Sequence, residues 1–140
     1  MPTQPVLDLS SLKQATVSLD EVVGLYQKDL HNALIRDALI QRFEYTYELG
    51  YKMLKRYLEL SEPNAEEIDH MSFPTMIRTA AERGLIANGW DKWKLYRDAR
   101  NITSHTYNEK KAIQICVLIP DFLVEVQYLS VTLQERVQVL

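Results

Sequence analysis

The chain has 140 residues, of which 46% are apolar and 25% charged, with a formal net charge of -3. These values exclude a disordered chain and a protein coated in basic surface, and the length suits one domain, residues 1–140, around one core. The single cysteine, Cys116, excludes an intrachain disulfide. With no charged and apolar leader and no apolar run long enough for a bilayer, the expectation is a cytoplasmic protein without a membrane role.

With only 4 Gly and 5 Pro, long helices are favoured over many short strands. The first predicted helix runs from about Asp8 to Gln27, anchored by Leu9, Leu12, Leu19, Val22, Val23 and Tyr26. Asp29 to Asn32 reads as a polar joint. A second helix follows from about Ala33 to Leu60, where Ile35, Leu39, Phe43, Tyr47, Tyr51, Leu54 and Leu58 recur at three- and four-residue steps. At ~1.5 Å per residue it is roughly 40 Å long and sets the length of the domain. Ser61 to Asn64 ends it, and an acidic connection with Glu66, Glu67 and Asp69 leads onward.

A short helix then begins with Pro74 preset for its first turn and stops at Gly84, the residue suited to a left-handed C-terminal position. Met76, Ile77, Ala80 and Ala81 are expected to face inward. Asn88 is a candidate cap for a fourth helix, from about Gly89 to His105, and Asp91 favours its N-terminus. Asn108 can cap a fifth. Pro120 is expected to break or kink it, because proline removes one helical hydrogen bond and clashes with the preceding turn. The last stretch, Asp121 to Val137, repeats Phe122, Leu123, Val126, Leu129, Leu133 and Val137 at helical spacing. The predicted fold class is all-α, an antiparallel up-and-down bundle of four or five helices.

Several chemistries lack their residues. His31, His70 and His105 are scattered, and no H-E-x-x-H or C-x-x-C pattern occurs, so no metal site is expected. There is no phosphate-cradling glycine loop, and no cofactor is expected. No two aspartates stand as D-x-D, so a magnesium site for nucleotidyl transfer would have to come from another chain.

One stretch does carry chemistry: RNITSHTY, Arg100 to Tyr107. On a helical wheel at about 100° per residue, Arg100, Asn101, Ser104, His105 and Tyr107 share about 160° of arc. Leu95, Ala99 and Ile102 fall opposite and are expected to pack into the bundle. Arg97, Asn101 and His105 follow one another at four-residue steps. The segment Asp91 to Lys111 holds six cations against three anions, a net +3 in an acidic chain. Arginine offers a fixed fork of donors to phosphate oxygens, and histidine exchanges a proton near neutral pH. Cleaving RNA without a metal requires these two functions. One Arg and one His are a thin set, which two copies across a twofold interface would double. The competing reading of such an arc is solvated surface at a helix end.

RNITSHTY matches R-x4-H-x-Y and resembles the signature of HEPN-domain proteins, in the branch paired with minimal nucleotidyltransferases. Around it, LIQRFEYTYELGYKMLKRYL (39–58) and RGLIANGWDKWKLYRDARNITSHTYNE (83–109) resemble the nucleotidyltransferase substrate-binding protein family. The similarity covers nearly the whole chain. It implies a HEPN-like bundle similar to the C-terminal domain of kanamycin nucleotidyltransferase, forming homodimers beside a small catalytic nucleotidyltransferase encoded nearby. In the toxin–antitoxin version it implies an RNase with Arg100 and His105 as catalytic pair and Asn101 beside them. Tyr107 would be the hydroxyl that the partner modifies with AMP. An E-x3-K element of HEPN RNases is matched by Glu48 and Lys52, which could equally form an ordinary i,i+4 ion pair. With Arg97 these are the supporting candidates.

Tyr45, Tyr47, Tyr51 and Tyr57 read as packing, with base stacking the lesser alternative. Trp90 and Trp93 are expected at the dimer contact, and Cys116 as buried filler. The alternative to the RNase is a non-catalytic substrate-binding subunit of a two-chain nucleotidyltransferase. A plain dimerisation module is the third reading.

Overall fold

The computed structural model describes residues 7–103 and 108–140. Among them are six helices: α1 (Ser10–Lys28), α2 (Ala33–Ser61), α3 (Ala65–Asp69), α4 (Phe73–Glu82), α5 (Trp90–Thr103) and α6 (Glu109–Val137). The expected all-helical bundle is present. The acidic connection after α2 carries one element beyond the expected ones, the short α3.

The ends of these helices follow from local chemistry. The Asn32 side chain accepts hydrogen bonds from the Leu34 and Ile35 N–H groups and opens α2. Ser72 accepts from the Thr75 N–H at the start of α4, and Asn108 from the Lys111 N–H at the start of α6. Each satisfies an amide that the first helical turn leaves without a carbonyl. Gly84 adopts φ of 73°, where a side chain would be strained. At α5 the expected cap is displaced by one residue. The Gly89 carbonyl accepts the Trp93 N–H, while the Asn88 N–H is taken by Glu125.

Consecutive long helices run antiparallel. Thr46 Oγ1 donates to the Ala15 carbonyl and Arg42 to the Ser18 carbonyl, at 3.4 and 2.8 Å, so α2 descends as α1 rises. Tyr96 pairs with Asp121 and Trp93 with Glu125, which sets α5 against α6 in the same sense. α2 and α6 run parallel, from Arg36 beside Glu109 to Gly50 beside Val126. A Cβ added at Gly50 would stand 3.4 Å from Val126 and 3.6 Å from Leu129, so the two helices approach closely there.

The core holds five interlocked rings. Phe122 meets Phe43 edge-on at 5.1 Å and Tyr96 at 5.2 Å, with Tyr47 and Trp93 each at 6.2 Å. Such tilted and edge-on pairs add roughly 0.5–1.5 kcal/mol each beyond the area they bury. Cys116 is buried, as expected, and burial pushes its thiol up to about 11.

Two expectations need correction. Pro120, expected to break or kink the last helix, does not break it, because α6 runs through it for 29 residues. Ile119, Phe122 and Leu123, buried on either side, hold that segment helical against the lost hydrogen bond. In length and composition α6 also reaches what a membrane span requires, with mean hydropathy 1.5 over 18 residues, although half of that window is buried in the bundle.

The second correction concerns α5. Its buried stripe is Trp93, Tyr96 and Ala99, whereas Leu95 and Ile102 are 49% and 39% exposed. The inward face is therefore rotated away from the one expected. Trp93, fully buried, belongs to the core and is no surface contact residue.

Candidate functional site

The site is built where the middle of α2 faces the last turns of α5. Glu48 and Lys52, one turn apart, project from α2, Glu48 half-exposed and Lys52 at the surface beside it. Arg97, Arg100 and Asn101 come from α5, where Arg97 and Arg100 are half-buried and Asn101 is exposed. Arg100 Nη2 lies 2.6 Å from Glu48 Oε1, a charge-assisted contact that joins the two helices. Among the described residues Glu48 makes no ion pair with Lys52. Its carboxylate serves the arginine of the motif instead of the neighbouring lysine on its own helix.

The packing below explains this position. Trp93 and Tyr96 turn one side of α5 into the core, so Arg100, one turn further on, emerges at the edge of the buried stripe. Tyr47, the residue before Glu48, is buried against Trp93. Its burial raises the phenol's pKa, and Glu48 adds to the rise. The hydroxyl therefore stays neutral through the physiological range and is no acid–base candidate.

Arg97 is held differently. Its guanidinium lies over the Trp90 ring, 4.9 Å from the centroid, and 6.0 Å from that of Phe73. Its ion pair with Asp98, the next residue, is long at 3.8 Å.

The N-terminal end of α5 is fixed by Glu125 of α6. This fully buried carboxylate accepts the Ala87 and Asn88 N–H groups, both at 2.8 Å, and the Trp93 indole N–H at 3.1 Å. Beyond the other end of the motif, the buried Arg36 of α2 reaches Glu109 Oε1 at 3.5 Å in the first turn of α6. The helices on both sides of the motif are thus tied to the bundle by charged groups that sequence reasoning did not single out. No periodicity within one segment signals a contact between residues 37 or 73 positions apart.

His105 and Tyr107, the expected proton-transfer and modification residues, lie outside the described residues. The arrangement brings Glu48 and Arg100 into contact and places Asn101 next to Arg100 on α5. Among the described residues no group of three or more His, Cys, Asp or Glu could hold a metal ion. Chemically, the arrangement orients the Arg100 guanidinium through the Glu48 carboxylate at the end of α5, and a guanidinium's fixed fork of donors is of the kind that suits anions.

Comparison with known proteins agrees with this architecture. Residues 7–135 match the family model described as "Nucleotidyltransferase substrate binding protein like". A Haemophilus influenzae protein named "Probable ribonuclease HepT" is 39% identical over 140 residues, covering 94% of this chain and 95% of that one. A solved H. influenzae structure, described as revealing the fold of a substrate binding domain of a nucleotidyltransferase, superposes with a TM-score of 0.83 at 36% identity. That match covers 91% of this chain and 99% of the other. A Thermus thermophilus structure gives a TM-score of 0.64 at 32% identity, covering 90% and 98%. With the match extending from before the start of α1 to within two residues of the end of α6, the chain belongs to the nucleotidyltransferase substrate-binding protein family.

Proposed function

We propose that this protein is the HEPN partner of a minimal nucleotidyltransferase and acts as the toxin of a toxin–antitoxin pair, a metal-independent endoribonuclease silenced by AMP transfer to Tyr107. The observation that supports this reading is the Glu48–Arg100 contact at the end of α5, which links the E-x3-K element to the first residue of R-x4-H-x-Y. The 39% identical relative named as a ribonuclease supports it.

In the proposed cleavage, the RNA 2′-oxygen attacks the adjacent phosphorus and its proton passes to a base. The bond to the 5′-oxygen breaks, and that oxygen takes up a proton. The products are a 2′,3′-cyclic phosphate and a 5′-hydroxyl. His105 exchanges the protons, and Arg100 stabilises the charge that grows on the phosphoryl oxygens, with Asn101 as a neighbouring donor. Two copies of the chain complete the set. The apolar groove between α5 and α6, about 540 Å³ and lined by Leu95, Ile102 and Val117, suits a second copy. In the proposed control step the Tyr107 oxygen attacks the α-phosphorus of ATP and pyrophosphate leaves. The partner chain supplies the metal site and takes the phenolic proton. The added phosphate then competes with RNA for Arg100.

The test has two parts. Purified protein should cleave RNA in the presence of a chelator, and Arg100→Ala and His105→Ala should each lose about 100-fold or more. After expression with the neighbouring nucleotidyltransferase, the intact mass should rise by whole AMP units, and Tyr107→Phe should abolish the rise. RNA left intact by the unmodified wild type would count against the nuclease. The alternative, a non-catalytic substrate-binding subunit, is favoured by the description of the solved H. influenzae relative. It predicts binding to the partner with no cleavage in any variant.

A further inference from the structure

Next to the candidate site stands a second group of rings, separate from the five in the core. Tyr51 of α2 meets Phe73 of α4 at 5.2 Å, and Phe73 meets Trp90 of α5 edge-on at 5.6 Å. All three are half-buried, unlike Phe43, Trp93, Tyr96 and Phe122, which are fully buried. Arg97 lies over this group, 4.9 Å from the Trp90 centroid. Its side chain is 36% exposed, and its Nε, shielded from solvent, has no hydrogen-bond partner among the described residues. An arginine needed only for solubility would extend into water. This one is held against a ring, with part of its donor fork unused.

Arg97 precedes Arg100 by three residues, so the two side chains leave neighbouring turns of α5, ~5 Å apart along the axis; Arg97 reaches the Trp90 ring and Arg100 reaches Glu48. Single-stranded nucleic acid is recognised by this pairing of chemistries, bases on arginine and aromatic planes and phosphates on cations.

We propose that Arg97 and Trp90, backed by Phe73, form a nucleotide subsite in which a base stacks on the arginine–indole platform while its phosphate reaches Arg100. The subsite rests on the reading of Arg100 as a phosphate-binding group. A nucleotide could come from an RNA strand or from the adenylyl group delivered to Tyr107, and the two are separable by titration.

Tryptophan fluorescence reads the contact directly. Trp93 is fully buried and bonded to Glu125, so stacking of an added base quenches Trp90 alone. A five-nucleotide RNA and free AMP are titrated separately into the full-length His105→Ala protein. Quenching by RNA, lost in Trp90→Phe, is the expected result. Arg97→Gln, with its helical content checked by circular dichroism, should then weaken RNA binding about tenfold by anisotropy. Quenching by AMP and not by RNA supports the subsite and assigns it to the adenylyl group. Absence of quenching with both ligands overturns the proposal, as does unchanged affinity in Arg97→Gln. Cleavage by the wild type separates the two readings. If RNA is cut while Arg97→Gln and Trp90→Phe bind and cut normally, the subsite fails and the nuclease stands. If RNA quenches Trp90 and is never cut, the nuclease fails and the subsite stands.

Discussion

At the scale of single residues, the Glu48–Arg100 contact bears directly on the proposed phosphate site. A carboxylate 2.6 Å from the guanidinium orients it but also opposes an incoming phosphate. Both side chains are partly exposed, so the pair contributes at most about 1 kcal/mol to stability. Glu48→Gln keeps an oxygen acceptor for Arg100 and removes the opposing charge. It should tighten RNA binding about fivefold at low salt, equivalent to ~1 kcal/mol of Coulomb repulsion. The gain should shrink as salt is raised, with the unfolding midpoint almost unchanged. Anisotropy at two salt concentrations checks this, and weaker binding would mean that orientation outweighs repulsion.

The buried acids make a second prediction at this scale. Burial raises the Cys116 thiol from its ordinary 9.0 to about 11, and it raises Tyr47 and Tyr96 as well. For Tyr96, the hydrogen bond to Asp121 adds to the rise. Each group holds its proton more tightly when folded, so its contribution is intact below about pH 9 and is lost as pH rises through the folded value. The urea midpoint should be flat from pH 7 to about 9 and then fall. Cys116→Ala should reduce the part of that fall between about pH 9 and 11.

At the scale of elements, α5 shows the limit of a helical wheel. Of the predicted polar arc, Arg100 and Asn101 are among the described residues, half-buried and exposed respectively. The wheel takes Leu95, Ala99 and Ile102 as the inward stripe because it cannot distinguish two apolar faces on one helix. The inward face is the one bearing Trp93 and Tyr96, whose large rings fill the space around Phe122. α6 misled in another way, because proline propensity is local and the burial that overrides it is not. The capping residues Asn32, Ser72 and Asn108 act through neighbours two or three positions away. That is why Asn32 and Asn108 stand where the sequence places a joint and a helix start. The Glu125 clamp is the opposite case, an α6 carboxylate receiving three donors from the start of α5 and the loop before it. Glu125→Gln keeps one acceptor and turns an amide N–H₂ toward those donors. It should cost about 2 kcal/mol, and Glu125→Ala about 3 kcal/mol or more. Urea denaturation measures both, and a surface role would leave the midpoint unchanged. Loosening the start of α5 should also shift the Trp93 emission.

At the scale of the whole molecule, the up-and-down order of the long helices was legible because each carries its own hydrophobic period and the joints between them are polar. The sequence did not indicate which apolar residues remain outside. Leu95 and Ile102 on α5 and Val117 on α6 expose apolar surface along one groove, with Val117 75% exposed. Charged Lys92, Asp98, Lys111 and Asp121 lie around it, so the lining combines a non-polar floor with both signs of charge. Lys92 and Asp121 pair with each other within the protomer, and an apolar floor with a charged rim of this kind suits a twofold contact. The groove adjoins the end of α5 that carries Arg100 and Asn101, so pairing there would draw two candidate sites together. Val117→Asp alters a side chain that the protomer leaves in water and should cost the fold less than about 0.5 kcal/mol. It places a desolvated charge in the proposed interface. Light scattering should find the wild type dimeric and Val117→Asp monomeric at micromolar concentration, with helical content preserved. If the nuclease needs residues from both copies, cleavage should fall in step with the dimer fraction and recover as protein concentration is raised. A variant that is monomeric yet fully active would place the whole site within one chain.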